Sequence, residues 1–293
     1  MAEKKRILMY GRTNSGKTAQ LGVLAEYIKR TTGKNTRLYT ADKGGTKTID
    51  PHITLGVVEA VELLDSNPFI FLYNAVRGNV RAADGRWIAG DNTNIGMFAF
   101  ESMRAFAEEI MRVCVEKAAG GTNIGGGANI SFNVQGDEQT LKVSGSNMAM
   151  FGVVQNRMQD EIWQSFKLDA PFIVWTSSVS KNDDQDAGGK VLGPDVIGKA
   201  MTADVPRWFD LTFRIDVLPA QGGKPERHPL YLGTHVDVGA GNAAGLGNIR
   251  RPLDAEPLKE LVIEPANIVK ALEMLEKGED AATEVIRKRL GLK

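Results

Sequence analysis

The 293-residue chain is poor in the residues that build disulfides and most transition-metal sites. Cys114 is its only cysteine, which excludes an intrachain disulfide and a cysteine-based metal cluster. The three histidines, His52, His228 and His235, are too scattered for a familiar zinc spacing. This scarcity of cysteine predicts a reducing, cytoplasmic setting.

Long hydrophobic runs are missing as well. The sequence contains no apolar run near the roughly 18 residues that a membrane span requires. After the basic segment Met1–Arg6, the apolar run Ile7–Tyr10 is too short for the hydrophobic region of a signal peptide. We therefore expect no membrane partner.

The chain also lacks an excess of either charge. Lys plus Arg is 36 and Asp plus Glu is 36, which excludes a protein that coats DNA through a large positive surplus. The balance is uneven along the chain, because residues 1–43 carry ten basic and three acidic side chains and so have a net charge of +7. A local anion site therefore remains compatible with the neutral total.

Glycine, in contrast, is abundant, and one glycine-rich segment carries chemistry. Gly11–Thr18 reads GRTNSGKT, follows the strand-like run Arg6–Tyr10, and precedes a helical pattern that includes Leu21 and Leu24. This is the order of strand, loop and helix that a P-loop requires. The predicted phosphate-binding residues are Gly11, Arg12, Thr13, Asn14, Ser15, Gly16, Lys17 and Thr18.

The residue types of this loop suit a bound nucleoside triphosphate and Mg²⁺. Gly11 and Gly16 allow a tight turn whose backbone N–H groups face a phosphate. Lys17 can reach the β- and γ-phosphates, and the Thr18 hydroxyl can ligate Mg²⁺. Gly193–Ala200 has a similar glycine spacing, but it lacks the final hydroxyl and a preceding apolar strand, so no second nucleotide site is predicted.

Two carboxylates are candidates for the metal and for the attacking water. Asp42 follows the apolar run Arg37–Thr40, and Glu101 follows the run Ile95–Phe100. Because ligands bind at the carboxyl ends of parallel strands, Glu101 is predicted to hold Mg²⁺ with Thr18, and either carboxylate could orient the water. The alternatives are a turn-starting aspartate at Asp42 and a first-turn helix residue at Glu101.

A third polar strand end is Thr176, after the apolar run Ala170–Trp175. On a strand beside the P-loop its hydroxyl would contact the γ-phosphate or its water, although a hydroxyl that satisfies a local turn is an equal alternative. Arg86 and Trp87 could stack on a base or ribose, but a solvated hairpin is the more common interpretation of such a patch.

The remaining pattern predicts further elements and an insertion. We expect helical structure at Val57–Leu64, a strand at Phe69–Tyr73, and a mobile loop at Ser180–Asp195. An inserted β-hairpin is expected within residues 119–152, formed by Ile130–Val134 and Thr140–Ser144. Gly239–Gly247 reads as a flexible loop, and two amphipathic helices at Asn267–Glu276 and Ala281–Leu290 follow it.

Taken together, these elements resemble the RecA-like core. The matching segments are the P-loop, the acidic strand end at Asp42, IGMFAFES in the Walker B position and IVWTSS at a polar strand end. Residues 192–216, LGPDVIGKAMTADVPRWFDLTFRID, are similar to a segment of ATP-binding proteins of tailed bacteriophages. That group includes RecA-like single-strand annealing ATPases and relatives known as AAA-type ATPases.

The resemblance implies an α/β fold: a RecA-like P-loop NTPase core with a mainly parallel central sheet, an inserted β-hairpin and C-terminal helices. It implies a core domain at 1–252, a helical extension at 253–293, ATP and Mg²⁺ as ligands, and assembly into a homo-oligomer in the cytoplasm of a host cell. A cation from one subunit would complete its neighbour's site, with Lys199 and Arg207 as the first candidates and Lys190 and Arg214 as weaker ones. Glu101 in place of the usual Asp, and the long insertion, depart from the family pattern.

Several functions are compatible with this resemblance. The first is ATP hydrolysis coupled to recombination or replication on single-stranded DNA. A DNA-packaging or virion-assembly motor that works with phage assembly proteins, and a nucleotide-regulated assembly protein with little hydrolysis, are the alternatives. A small-molecule kinase is disfavoured, because Ser180–Asp195 contains acids and no arginine where a kinase lid would carry arginine.

Overall fold

The structure is a computed structural model that describes most of the first 218 residues and several later segments. The described residues are 4–42, 44–63, 67–119, 128–134, 137–143, 147–183, 190–196, 199–218, 220, 226, 228–232, 234–238, 241–247 and 262–277. The helix predicted at Ala281–Leu290 lies outside these residues.

The strands and helices alternate along the first two thirds of the chain. The strands are β1 (Lys5–Gly11), β2 (Asn35–Thr40), β3 (Val58–Glu62), β4 (Val80–Arg81), β5 (Trp87–Ile88), β6 (Ile95–Glu101), β7 (Ala128–Val134), β8 (Asp137–Val143), β9 (Phe172–Ser177), β10 (Val179–Asp183), β11 (Lys190–Pro194), β12 (Leu211–Ile215), β13 (Leu230–Leu232), β14 (Thr234–Val238), β15 (Gly241–Gly247) and β16 (Val262–Ile263). The α-helices are α1 (Lys17–Thr32), α2 (Asp50–Thr54), α3 (Pro68–Ala75), α4 (Met103–Ala119), α5 (Asn147–Ser165), α6 (Lys199–Asp204) and α7 (268–277). Two 3₁₀ helices lie at Gly45–Ile49 and Val205–Trp208.

A central sheet organises the described residues. Its eight strands follow the order β16-β13-β12-β1-β9-β6-β2-β3. Six neighbouring strands, β12, β1, β9, β6, β2 and β3, pair in parallel. At one edge, β13 pairs antiparallel with β12, and β16 pairs antiparallel with β13. The P-loop strand β1 is therefore separated from β6 by β9. This arrangement confirms the predicted α/β class with a mainly parallel, RecA-like central sheet.

Side chains from both faces of the sheet enter separate cores. Along β1, Ile7 and Met9 pack with α1 and α7, while Leu8 and Tyr10 pack with α3, α4 and α5. This alternation is the period-2 pattern of a strand that is covered on both sides. Cys114 of α4 is fully buried in the core that contains Leu8 and Tyr10.

Two elements of the sequence analysis were assigned the wrong type. The segment Val57–Leu64 contains strand β3 (Val58–Glu62) and not a helix, and this strand pairs in parallel with β2 at the edge of the sheet. Phe69–Tyr73 lies in helix α3 and not in a strand. There Asn67 caps the helix by accepting a hydrogen bond from the Phe69 N–H, and Pro68 occupies the first helical turn.

A second sheet was also missed. The loop predicted at Ser180–Asp195 is wrong, because β10 and β11 form an antiparallel pair within it. The glycine-rich segment predicted as a flexible loop contains β15, and these strands form a four-stranded sheet in the order β10-β11-β14-β15. The inserted hairpin is confirmed, since β7 pairs with β8 in antiparallel register from Ala128 to Val143. No described helix is both long and apolar enough to cross a membrane.

The patch around Arg86 forms a solvated hairpin. Strands β4 and β5 pair in antiparallel fashion, and Arg86 forms an exposed ion pair with Asp84. Trp87 packs edge-on against Phe71 at a centroid separation of 5.6 Å. This contact uses Trp87 for packing, in agreement with the more common interpretation of the sequence.

Candidate nucleotide-binding site

The loop between β1 and α1 follows a path that depends on two glycines, Gly11 and Gly16. A Cβ atom on Gly11 would lie 2.2 Å from the backbone carbonyl oxygen of Ile215, so a side chain there would force β1 away from β12. Gly16 has a φ of 96° and caps α1 without a side-chain hydrogen bond. The backbone N–H groups of the first helical turn therefore remain available to an anion.

Lys17 lies above this loop. Its ammonium group donates hydrogen bonds to the backbone carbonyl oxygens of Gly11, at 3.0 Å, and Arg12, at 2.9 Å. Burial lowers the pKa of Lys17, and the nearby Glu101 and Asp42 carboxylates oppose that effect. Since its hydrogen-bond acceptors here are neutral carbonyls, the ammonium can exchange them for the stronger acceptors of a phosphate.

Glu101 lies below the loop, at the carboxyl end of β6. Its side chain is 3% exposed, and one carboxylate oxygen, Oε1, accepts a hydrogen bond from the Thr18 hydroxyl. Burial raises the pKa of Glu101 to about 7; the hydrogen bond from Thr18 and the charge of Lys17 oppose this increase, and Asp42 adds to it.

The second oxygen of Glu101 indicates that the site fits a metal ion. Oε2 is buried and has no hydrogen-bond partner in the structure. An unpaired buried carboxylate oxygen is costly, and a cation at this position would satisfy it. No group of three or more His, Cys, Asp or Glu side chains able to hold a metal occurs among the described residues. The Glu101 carboxylate and the Thr18 hydroxyl suit Mg²⁺, which needs few protein ligands because it keeps waters and binds substrate phosphates.

A cavity of about 590 Å³ opens over these groups. This volume lies in the range of small-molecule and cofactor sites. The P-loop contributes Thr13, Asn14, Gly16, Lys17 and Thr18 to its walls, and the facing strand ends and α4 contribute Asp42, Glu101, Arg104, Glu108 and Ser178. Both predicted carboxylates, Asp42 and Glu101, thus share one cavity with Lys17 and Thr18.

Other predicted site residues lie elsewhere or outside the described side chains. Thr176 is fully buried, its hydroxyl has no hydrogen-bond partner in the structure, and it is not among the cavity-lining residues. Arg207 is 73% exposed and pairs with Asp204 at 3.5 Å. Lys199 begins α6, but its side chain lies outside the described set.

The weaker candidate Arg214 is a buried residue of β12. Its guanidinium pairs with Asp216 and lies 4.8 Å from the ring centroid of Tyr231. A buried side chain held within its own subunit is poorly placed to reach a neighbour's site. The side chain of Lys190, the other weaker candidate, lies outside the described set.

Arg104 and Ser178 are among the cavity-lining residues that the sequence analysis did not predict. Arg104 occupies the first turn of α4, three residues after Glu101, and Ser178 lies two residues beyond Thr176. The spacing from Glu101 would have drawn attention to Arg104, because a residue in the first turn after a strand end stays near that edge of the sheet. Ser178 directly follows the last residue of β9, at the carboxyl edge of the sheet.

The C-terminal segment supports the P-loop helix from behind. The amide of Gln20 donates to the carbonyl oxygen of Ala266 at 2.9 Å and accepts from the N–H of Ile268 at 2.8 Å. Gln20 is itself buried. This paired contact docks the start of α7 on α1, and sequence patterns do not reveal it because the partners are 248 residues apart.

Comparisons with known proteins give only a distant likeness. No family model matches the chain, and no curated protein sequence matches it. Among solved structures, the KaiC-like protein PH0186 of Pyrococcus horikoshii OT3 gives a TM-score of 0.42 at 9% identity, over 89% of this chain and 90% of that chain. The flagellar accessory protein FlaH of Methanocaldococcus jannaschii gives a TM-score of 0.39 at 9% identity, over 79% of each chain. Such values carry no inference about activity, which has to be derived from the residues of the site.

Proposed function

We propose that the protein is a Mg²⁺-dependent P-loop ATPase. The observation that carries this proposal is the contact between Thr18 and Glu101 in the cavity that Lys17 also lines, with one Glu101 oxygen left unpartnered. A glycine-rich turn without nucleotide function would not require a buried carboxylate, a hydroxyl and an ammonium group in one cavity. Their combination supports nucleotide binding more strongly than the loop motif alone.

Each residue has a role that its position supports. Lys17 and the N–H groups of the loop bind the β- and γ-phosphates, and Thr18 and Glu101 hold Mg²⁺. The metal, when bound, neutralises negative charge on the phosphate oxygens. Asp42 is exposed, lines the cavity, and makes no side-chain hydrogen bond to another described residue, so we assign it to orient the attacking water.

The proposal includes a homo-oligomer in which a cation from one subunit faces the neighbour's phosphates. Arg207 supports this idea because it is exposed and is absent from the lining of its own cavity. Beside it, Trp208 packs against Trp163, a tryptophan that is 48% exposed. Exposed tryptophan next to arginine is typical of protein interfaces. Lys199 remains the second candidate for this role.

Turnover of ATP in the presence of Mg²⁺ tests the proposed activity. Lys17→Ala is expected to reduce turnover by about 10²-fold or more, because it removes a charge that stabilises the transition state. Arg30→Ala is the matched control, since Arg30 is an exposed cation in the last turn of the same helix. Equal turnover in wild type and Lys17→Ala would overturn the proposal.

The process that hydrolysis drives is a further part of the proposal. We favour recombination or replication on single-stranded DNA in a phage-type setting, supported by the net charge of +7 in residues 1–43 and by the resemblance described above. Turnover should then rise when single-stranded DNA is added, and DNA affinity should fall as salt increases. Assembly into rings on ATP with no DNA binding at low salt would favour the alternative of a nucleotide-regulated assembly protein.

A further inference from the structure

Arg104 brings a second cation to the cavity. It lies in the first turn of α4, and its side chain is 39% exposed and lines the same cavity as Lys17, Thr18 and Glu101. Lys17 enters this cavity from the P-loop, whereas Arg104 enters from the helix that follows the acidic strand β6. The cavity therefore offers positive charge from two sides.

Two acidic side chains hold the Arg104 guanidinium. Nη1 donates to Oδ1 of Asp195 at 2.7 Å, and Nε donates to Oε1 of Glu108 at 2.5 Å. Glu108 is an i,i+4 partner on the same helix, so this contact is local. The Asp195 contact is different, because it joins α4 to the end of the β10–β11 hairpin across 91 positions.

The backbone of Asp195 is fixed in place beside the cavity. Its N–H donates to the carbonyl oxygen of Ser178 at 2.7 Å, and its carbonyl oxygen accepts from the Ser177 hydroxyl at 2.8 Å. Ser178 itself lines the cavity. The carboxyl end of β9 therefore positions the Asp195 backbone so that its carboxylate reaches Arg104.

We propose that Arg104 binds the γ-phosphate of a nucleoside triphosphate, and that Asp195 holds the same guanidinium when no γ-phosphate is present. The inference rests on the nucleotide binding proposed above. A phosphate and a carboxylate are alternative partners for one guanidinium, and both accept paired N–H donors. The γ-phosphate carries more negative charge than a carboxylate, so it can displace Asp195, whereas ADP has no γ-phosphate.

The proposed exchange predicts that substitutions of the two partners, Arg104 and Asp195, have opposite effects on nucleotide binding. Removing Arg104 eliminates a phosphate contact, while removing the Asp195 charge eliminates a competitor. Arg104→Met should weaken the binding of a non-hydrolysable ATP analogue about tenfold, as expected for one lost charge-assisted contact, and change ADP binding by less than about twofold. Asp195→Asn should strengthen binding of the analogue by about threefold and leave ADP binding unchanged.

The experiment is calorimetric titration of each full-length variant with the analogue and with ADP, both with Mg²⁺. In the Arg104→Met background, Asp195→Asn should have no further effect, because the guanidinium for which Asp195 and the phosphate compete has been removed. Arg112→Met is the matched control: Arg112 lies on the same helix, pairs with Glu109 at 2.8 Å, and does not line the cavity. Thermal unfolding of all variants shows whether each remains folded.

A purely structural ion pair predicts a different pattern. Both single variants would then weaken the analogue and ADP alike, or lower only the unfolding temperature, and either result would overturn the proposal. The failure of the two proposals is distinguishable. Wild-type protein that binds neither nucleotide contradicts the ATPase, whereas wild-type binding with equal losses for both nucleotides in Arg104→Met contradicts only the exchange.

Discussion

The ends of two neighbouring strands, β2 and β6, place similar carboxylates in very different surroundings. Thr40 of β2 pairs in register with Glu101 of β6. Asp42, two residues beyond Thr40, is exposed, whereas Glu101 is 3% exposed. Both line the same cavity. A difference of two positions along adjacent strands therefore separates a solvated carboxylate from a buried one.

This difference in burial indicates a division of labour. Burial raises the pKa of Glu101 to about 7, so the side chain accepts a proton readily unless a cation occupies its free oxygen. That property suits a metal ligand that is charged when the metal is bound. Asp42 remains accessible to water, which suits a group that orients a nucleophile.

The largest expected effects separate the two roles kinetically. Asp42→Asn should reduce the turnover number by about 10²-fold at saturating Mg²⁺ and ATP and leave the Mg²⁺ requirement unchanged, because only the group that orients the water is lost. Glu101→Gln should instead raise the Mg²⁺ concentration for half-maximal turnover by about tenfold, because a charged ligand becomes neutral. Steady-state rates over a Mg²⁺ titration measure both quantities.

Glu59→Gln provides the control for these substitutions. Glu59 belongs to β3, pairs with Arg37 at 2.9 Å, and lies outside the cavity lining. If Asp42→Asn raised the Mg²⁺ requirement and Glu101→Gln lowered only the turnover number, the two assignments would have to be exchanged.

A smaller effect is expected in metal-free protein. There the Glu101 carboxyl should make the free energy of unfolding depend on pH by about 2 kcal/mol. The pKa of Glu101 is about 7 in the folded chain against 4.5 for an ordinary glutamate. The folded state thus binds this proton more tightly than the unfolded state. The stabilisation that this bound proton provides is complete below the pKa of the group in the unfolded chain. It is lost as the pH rises through about 7. The carboxylate of Asp42 and the ammonium of Lys17 face the same group and set this value together with burial.

Glu101→Gln isolates this contribution because glutamine does not titrate. The difference in unfolding free energy, variant minus wild type, should increase by about 2 kcal/mol between pH 5.5 and pH 8. Urea denaturation with a chelator present measures it at each pH, and the subtraction cancels groups that titrate equally in both proteins. A difference that stays constant over this range would mean that the Glu101 carboxyl is not desolvated in solution.

The sequence was sufficient to predict the part of the candidate site that lies in one contiguous segment, the P-loop. The P-loop is contiguous, so its motif and flanking periodicity were sufficient to place Gly11, Lys17 and Thr18. Asp42 and Glu101 were found because each ends an apolar run, and parallel strands bring such ends together. The strand β3 was mistaken for a helix because a run of five residues shows the two periodicities too briefly.

Contacts between distant segments were not predictable in this way. Arg104 and Asp195 meet only because β9 separates β1 from β6 and because β10 and β11 fold back on the end of β9. The second sheet escaped detection because β15 contains three glycines, Gly241, Gly245 and Gly247, which give no strand signal. Its register is set by β14, and not by the local sequence.

The smallest expected effects concern the carboxyl end of β9, the strand that pairs with β6 on the side away from β2. The Thr176 hydroxyl is buried without a hydrogen-bond partner, whereas Ser178 reaches the cavity. Thr176→Val should therefore keep turnover within about twofold of wild type and stabilise the fold by about 1 kcal/mol, because an unsatisfied hydroxyl is removed. Ser178→Ala should lower turnover by about threefold. Rates and urea denaturation on both variants measure these changes. A loss of turnover confined to Thr176→Val would instead support the sequence-based hypothesis that Thr176 contacts the γ-phosphate, and would require β9 to shift outward when nucleotide binds.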